Sequence, residues 1–253
     1  MILSIHQWHE RYQQQARWTK SIRKYIYDRI GFDQSTRILE VGCGTGVILE
    51  ELCDISTCTT FGVDINTAAI SLAQGSTPSS ILFIGNALDL PFRSASFDIS
   101  LCHFLLLWVK NPLQVVSEMI RVIRPGGYVL ALAEPDYGGR IDYPSELAQI
   151  GCWQIEALKE QGANPYMGRE LQSLFSVAGL SEIEVGVLGG QWTSKQTEKG
   201  SDLEWEVIRA DLGQNQEFLK SAAKLQALDQ TSRKNHQRIL FVPTFYAIGL
   251  KRT

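Results

Sequence analysis

The nine residues Ile38–Gly46, Ile-Leu-Glu-Val-Gly-Cys-Gly-Thr-Gly, limit what this chain can fold into more than any other stretch. An apolar β-run, Arg37–Val41, ends in three alternate glycines, and a helix-forming segment, Thr45–Cys53, starts at once. Glycines let the backbone turn sharply and let a ligand approach it closely. The helix start beyond them offers unpaired N–H groups. A tight turn without a ligand would need the same residues, so the pattern gains meaning only together with the residues downstream.

Strands and helices then alternate. Thr60–Val63, Ile81–Ile84, Phe97–Cys102 and Tyr128–Ala133 read as strands. Asn66 caps a helix reaching about Gln74, and Asn111-Pro112 opens another running to Arg124, stopped by Pro125-Gly126-Gly127. This order predicts an α/β, Rossmann-like, doubly wound, seven-stranded, mostly parallel sheet, with ligands at the carboxyl ends of its strands. Runs such as Val129–Ala133 suit strands covered on both faces. Before the sheet, residues 5–30 form one helix with a basic exposed side. After it, 137–178 and 195–237 read as helices, 181–189 as a weak strand and 240–251 as a closing β-run. The expected organisation is a single domain over 1–253. Residues 36–136 form the cofactor half, 1–34 an N-terminal helical lid, 137–238 substrate-side helices and 240–253 a closing strand.

Asp64 ends the second strand, 18 residues past Gly46, where a carboxylate can take both hydroxyls of a ribose. Glu40 stands beside the turn; it would repel a pyrophosphate but suits a cationic ligand. With the order GxGxG instead of GxGxxG, this disfavours a nicotinamide oxidoreductase.

Glu40–Gly46 resembles the first motif of class I S-adenosylmethionine-dependent methyltransferases, and Phe61–Ile65 the second. Gly85–Phe92 resembles their adenine-contacting loop. Phe97–Ile99 with Cys102–Val109 resembles the fourth strand and its loop, and Arg121–Tyr128 the stretch before strand five. The nearest subgroup is the quinone-biosynthesis branch, which methylates small molecules. The resemblance implies S-adenosyl-L-methionine as cofactor, with S-adenosyl-L-homocysteine as product. It implies that Glu40 meets the methionine ammonium, that Gly42, Cys43, Gly44 and Gly46 line the methionyl chain, and that Asp64 holds the ribose. Ile65, Asn86, Ala87 and Leu88 would border the adenine; Asn86 stands where Asp is usual, and its carbonyl oxygen can accept the same hydrogen bond.

Methyl transfer needs alignment and exclusion of water more than mandatory catalytic groups. His103, after strand four, is the candidate base or methyl-site wall, with packing as its other reading. Trp18 is expected at the cofactor, and Gln14 with it on a lid. Gln14, Trp108, Asp136, Tyr137, Arg140, Tyr143 and Tyr166 are expected around the acceptor. Trp153, Trp192 and Trp205 fall in regions that should surround the pocket, while Arg169 reads as part of a loop leading into a helix.

Composition narrows the partners. With 24 basic against 27 acidic residues and a net charge of −3, a nucleic-acid partner is not expected. Five cysteines without a CxxC pair suit buried reduced thiols, and no His/Asp/Glu cluster has metal-ligand spacing. No signal peptide or membrane span is read, so the expected location is cytoplasmic. A methyltransferase acting on protein or RNA and a non-catalytic binder of the cofactor are the alternatives. The absence of Asn/Asp-Pro-Pro-Tyr after strand four, where Cys102-His103-Phe104-Leu105 stands, counts against the first.

Overall fold

The computed structural model describes residues 4–55, 58–187, 189 and 201–252, with 201–203 as backbone alone. Seven strands form one sheet: β1 (Arg37–Val41), β2 (Thr59–Asp64), β3 (Ile81–Ile84), β4 (Phe97–Cys102), β5 (Ile123–Pro135), β7 (Ser181–Val187) and β9 (Thr244–Leu250). Their order is β3-β2-β1-β4-β5-β9-β7, and β9 alone runs antiparallel to its neighbours. The order reverses between β1 and β4, and the glycine turn sits at that switch point. Helices α2 (Val47–Ile55), α3 (Thr67–Ser76), α4 (Pro112–Val122) and α6 (Met167–Val177) belong to this α/β body.

Helix α1 (Ile5–Ile30) has the expected extent. Ser4 and Gln7 cap it reciprocally, and Gly31 ends it at φ +66° with its N–H on Tyr27 O. Asn66 and Asn111 cap α3 and α4 through their side chains, with Pro112 in the first turn of α4. One boundary differs from expectation. Helix α4 ends at Val122, and Pro125-Gly126-Gly127 lies inside β5 rather than in a loop. Gly126 N–H donates to Lys251 O and Lys251 N–H to Gly127 O, each at 2.9 Å, so this segment is paired with the end of β9. A Cβ on Gly127 would fall 2.4 Å from Asp98 O, which explains a glycine at that crossing.

The expected block 137–238 is divided. Helix α6 and β7 return to the sheet, where Met167, Leu171, Phe175 and Leu180 join its main core. The remainder forms a cap: α5 (Ala148–Glu160), α7 (Ser201–Leu212), α8 (Gln216–Lys234) and a two-stranded pair, β6 (Ile141–Tyr143) with β8 (Ile239–Phe241). The cap has its own apolar core around Leu147, Ile150, Trp205, Ile208 and Phe218, which shares no residue with the sheet clusters. Polar groups stitch its edge. Arg140 holds both oxygens of Asp142, Arg238 bridges Asp142 to Asp229, and Arg233 joins Asp229 to Glu204. Among the described residues, no helix is long and apolar enough to cross a membrane.

Candidate functional site

The glycine turn is a cradle by construction. Gly42, Gly44 and Gly46 all have positive φ, at +72°, +51° and +83°. Gly42 and Cys43 N–H both donate to Val63 O, which ties the turn to β2. Asp64 spans it from the other side: one carboxylate oxygen accepts from Gly44 N–H and the other from Asn66 N–H, each at 2.8 Å. The Cys43 side chain turns inward, beside Gly62 and with Leu49 and Ile70, so this residue faces the turn through its backbone alone.

Glu40 sits beneath this cradle, 2 % exposed, and its Oε2 has no hydrogen-bond partner. Burial, with Asp64 adding to it, pushes its carboxyl well above the usual carboxylate range. A buried carboxylate oxygen without a donor is costly, and a ligand cation is the group that would relieve it. Glu40, the glycine cradle and Asp64 therefore fit a ligand carrying an ammonium at one end and a ribose further along. Ile65 is 70 % exposed beside Asp64. In the facing loop Asn86 Oδ1 accepts from Leu88 N–H at 3.0 Å, so its side chain shapes the loop, while Ala87 and Leu88 pack on the core.

Helix α1 crosses this turn, with residues other than those expected. His9 Nδ1 lies 2.8 Å from Thr45 Oγ1, and the Tyr12 ring covers Gly44. Burial and then Asp64 raise the Tyr12 hydroxyl above its ordinary value. Trp18 instead points outward, 55 % exposed, with the Arg11 guanidinium 4.7 Å over its ring. Deeper along α1, Arg23 is wholly buried. Its guanidinium grips both oxygens of Glu51, Ala16 O and Thr19 Oγ1. Thr19 Oγ1 in turn lies 2.9 Å from His103 Nε2. Burial, with Arg23 next, holds the His103 imidazole well below its ordinary pKa, so it is neutral at pH 7. The sequence signal for Arg23 was a charge on the apolar face of α1, four residues from Thr19 and Tyr27.

The acceptor-side candidates separate into two groups. Gln14 is buried and accepts from Arg11, and Tyr137 is half-buried in the 3-10 turn Tyr137–Gly139 that follows β5. Trp108 is partly exposed at the end of the 3-10 turn Leu106–Trp108 after β4. The other group is committed elsewhere. Asp136 is held by Arg169 at 2.6 and 2.8 Å and caps the next turn through Gly138 N–H. Tyr166 lies between the Lys159 and Arg169 cations, packed on Gly138. The Arg140 side chain is 6 % exposed inside the cap edge, and Tyr143 is 58 % exposed on β6, so neither lines a chamber. Trp205 donates to Asp229 within the cap core and Trp153 packs edge-on to Phe218, which corrects the expectation that they wall the pocket. Trp192 lies outside the described residues. Two surface clefts, of about 260 and 560 Å³, lie around Arg29 and Glu184 and around Gly126 and Lys251, at the amino end of β5 and away from this chemistry.

Glu134, at the end of β5, is a positioning group the sequence reading passed over. Its fully buried carboxylate accepts from Leu105, Leu106 and Leu107 N–H, which fixes the loop after His103. Burial outweighs these three donors and raises its pKa from 4.5 to about 7. Stability from this group is therefore full below the unfolded value and is lost as pH rises through about 7. Relative to Glu134→Gln, whose amide does not titrate, the wild type should lose about 3 kcal/mol between the two limits. Urea unfolding of both proteins at pH 5 and pH 8 measures this; a constant difference would contradict it.

Comparison with known proteins bears on this geometry. The family described as "Methyltransferase domain" matches residues 39–131. A demethylmenaquinone methyltransferase of Bacillus licheniformis is 32% identical over 164 residues, covering 58% of this chain and 71% of the relative. An O-methyltransferase of Aspergillus nomiae is 27% identical over 173 residues, covering 66% and 73%. Among solved structures, phosphoethanolamine N-methyltransferase 2 of Haemonchus contortus, in complex with S-adenosyl-L-methionine, superposes with a TM-score of 0.57. At 15% identity, over 92% of this chain and 53% of that one, it shares the fold.

Proposed function

Because the chain belongs to the class I S-adenosylmethionine-dependent methyltransferases, we propose that it methylates an oxygen, nitrogen or carbon atom of a small molecule, a secondary, isoprenoid or aromatic metabolite. When bound, the cofactor supplies a methyl group on a sulfonium centre, ready for in-line displacement. Glu40 pairs with the ammonium, Gly42 and Gly44 line the methionyl chain, and Asp64 holds the ribose hydroxyls. Ile65, Asn86, Ala87 and Leu88 border the adenine. The neutral His103, oriented by Thr19, takes the proton when the acceptor nucleophile carries one.

The observation that carries the small-molecule reading is the roof over the carboxyl ends of β4 and β5. Helix α1 crosses the glycine turn, Asn164 N–H donates to Leu107 O at 2.7 Å, and Tyr137 N–H donates to Pro165 O at 2.8 Å. These ties hold the segments after β4 and β5 to the 164–165 loop, which supports a small acceptor over a macromolecule. The names of the two relatives point the same way.

The test uses methyl-labelled cofactor with a metabolite extract, a protein extract and an RNA preparation. Label is expected in the low-molecular-weight fraction alone, and transfer to protein or RNA overturns the reading. Asp64→Ala is expected to weaken S-adenosyl-L-homocysteine binding by calorimetry at least about tenfold, since it removes charge-assisted acceptors. Normal binding by that variant would refute the cofactor geometry.

A further inference from the structure

Thr19 Oγ1 is the meeting point of three groups. It donates to Gln15 O at 2.9 Å, accepts from Arg23 Nη1 at 2.6 Å and lies 2.9 Å from His103 Nε2. A hydroxyl has one hydrogen and two acceptor sites. A carbonyl oxygen can only accept and a guanidinium can only donate, so Gln15 O takes the hydrogen and Arg23 takes one acceptor site. What remains on Thr19 is an acceptor, so His103 Nε2 is the donor and carries a proton. Arg23 is not free to turn away and release the hydroxyl. It is wholly buried, and Glu51 and Ala16 O hold the rest of its guanidinium.

The state of the other ring nitrogen follows. The imidazole is neutral at pH 7, so one nitrogen is protonated and the other is bare. With the proton on Nε2, the lone pair is on Nδ1. Among the described residues Nδ1 has no polar partner, and it is not one of the buried polar atoms left without one, which belong to Tyr27, Glu40 and Ser100. It is therefore accessible, at the carboxyl end of β4 where ligands of such a sheet bind. The backbone around the ring is held as firmly as Nε2. Phe104 has φ +53°, its N–H donates to Ala133 O at 2.9 Å, and its ring meets the imidazole edge-on at 4.8 Å. A residue other than glycine stays in that region where its neighbours over-determine it. Here the Glu134 carboxylate does so, by holding Leu105, Leu106 and Leu107 N–H.

We propose that His103 is held as the Nε2–H tautomer and works through Nδ1, with Thr19 and Arg23 as positioning residues that fix this tautomer. The catalytic half of this rests on the small-molecule reading above. As the acceptor atom bonds to the methyl carbon and the carbon–sulfur electron pair stays on sulfur, the acceptor's proton passes to the Nδ1 lone pair. The imidazolium so formed keeps Nε2–H on Thr19. Its repulsion from Arg23 favours release of the new proton to water.

The experiment is nuclear magnetic resonance of the imidazole nitrogens in the full chain labelled with heavy nitrogen, at pH 7.5. The chain has four histidines, and His103→Gln identifies the signals of His103 by their loss. The wild type should show a protonated Nε2 and a bare Nδ1 without averaging between them. A proton on Nδ1, or averaged shifts, overturns the proposal. Thr19→Val should give averaged shifts and Thr19→Ser should restore the wild-type pattern; an unchanged pattern in Thr19→Val refutes its positioning role. Transfer from methyl-labelled cofactor into a metabolite extract is measured beside the spectra. His103→Gln should slow it about 100-fold or more, the usual worth of a general base. Thr19→Val should slow it by the factor to which the Nε2–H form is depleted, and Thr19→Ser should recover it. An undiminished rate in His103→Gln refutes the base at Nδ1. If the wild type labels no small molecule, the small-molecule reading fails instead, while the spectra still decide the tautomer.

Discussion

Glu40→Gln is expected to make the empty protein more stable while weakening S-adenosyl-L-homocysteine binding by roughly 10- to 100-fold, the worth of a hydrogen bond between charged groups. Both effects come from one atom. Glu40 Oε2 is buried without a partner, and Leu49 N–H engages the carboxyl group from the backbone. In the amide, the carbonyl oxygen keeps the Leu49 contact and the NH2 turns to the cradle. That removes a buried charge from the empty protein but presents donors to the ligand's ammonium. The pH dependence follows the same logic with opposite signs. The folded carboxyl titrates well above its unfolded value, so its contribution to stability is present at low pH and lost as pH rises through the folded value. Ligand pairing needs the ionised form, so affinity rises over that same range. Thermal melting of the empty protein and calorimetry, each followed as a function of pH with Glu40→Gln as the flat reference, measure both trends. Equal affinity in the two proteins would remove Glu40 from the binding site.

Asp142→Ala should cost about 3–5 kcal/mol, the range for breaking a buried ion pair by removing one partner. The Asp142 side chain is 2 % exposed and receives Arg140 on one side and Arg238 on the other. Its loss leaves the buried Arg140 without its carboxylate and Arg238 with Asp229 alone, and unhinges β6 from β8. The cap core is separate from the sheet core, so the damage should be local. Hydrogen exchange should rise across 141–160 and 216–241 while α2, α3 and the strands β1–β4 stay protected. Uniform deprotection would mean that cap and sheet unfold as one unit.

The cofactor half was legible because its signals are local. Asn66, Asn111-Pro112 and the three glycines each act on backbone within a few residues, and the strand–helix order sets the sheet from there. Pro125-Gly126-Gly127 misled because the reason for those glycines, the close approach of Asp98 O and Lys251, lies far away in the chain. The acceptor side was less legible for the same reason. Arg140 and Tyr143 looked like pocket residues until Arg238, almost a hundred positions on, was seen to claim Asp142 beside them. Trp18 and Tyr12 lie on one helix, and which of them covers the turn depends on helix rotation. That rotation is set by Arg23 meeting Glu51, a contact no periodicity announces.

That contact also gives α1 a mechanical character. Arg23 binds Ala16 O, Thr19 and Glu51 together, so residues 16–23 are bolted to α2. On the far side of Ala16, no residue of α1 enters the apolar clusters formed by the described residues. Residues 5–15 therefore form a stiff arm about 16 Å long at 1.5 Å per residue. Its side-chain holds on the glycine turn are His9 on Thr45 and Tyr12 over Gly44. A tilt of about 10° at the bolt would lift the arm's tip by roughly 3 Å, about the thickness of an aromatic ring. The helix thus has the form of a lever whose fulcrum is electrostatic and whose free end rests on the glycine turn.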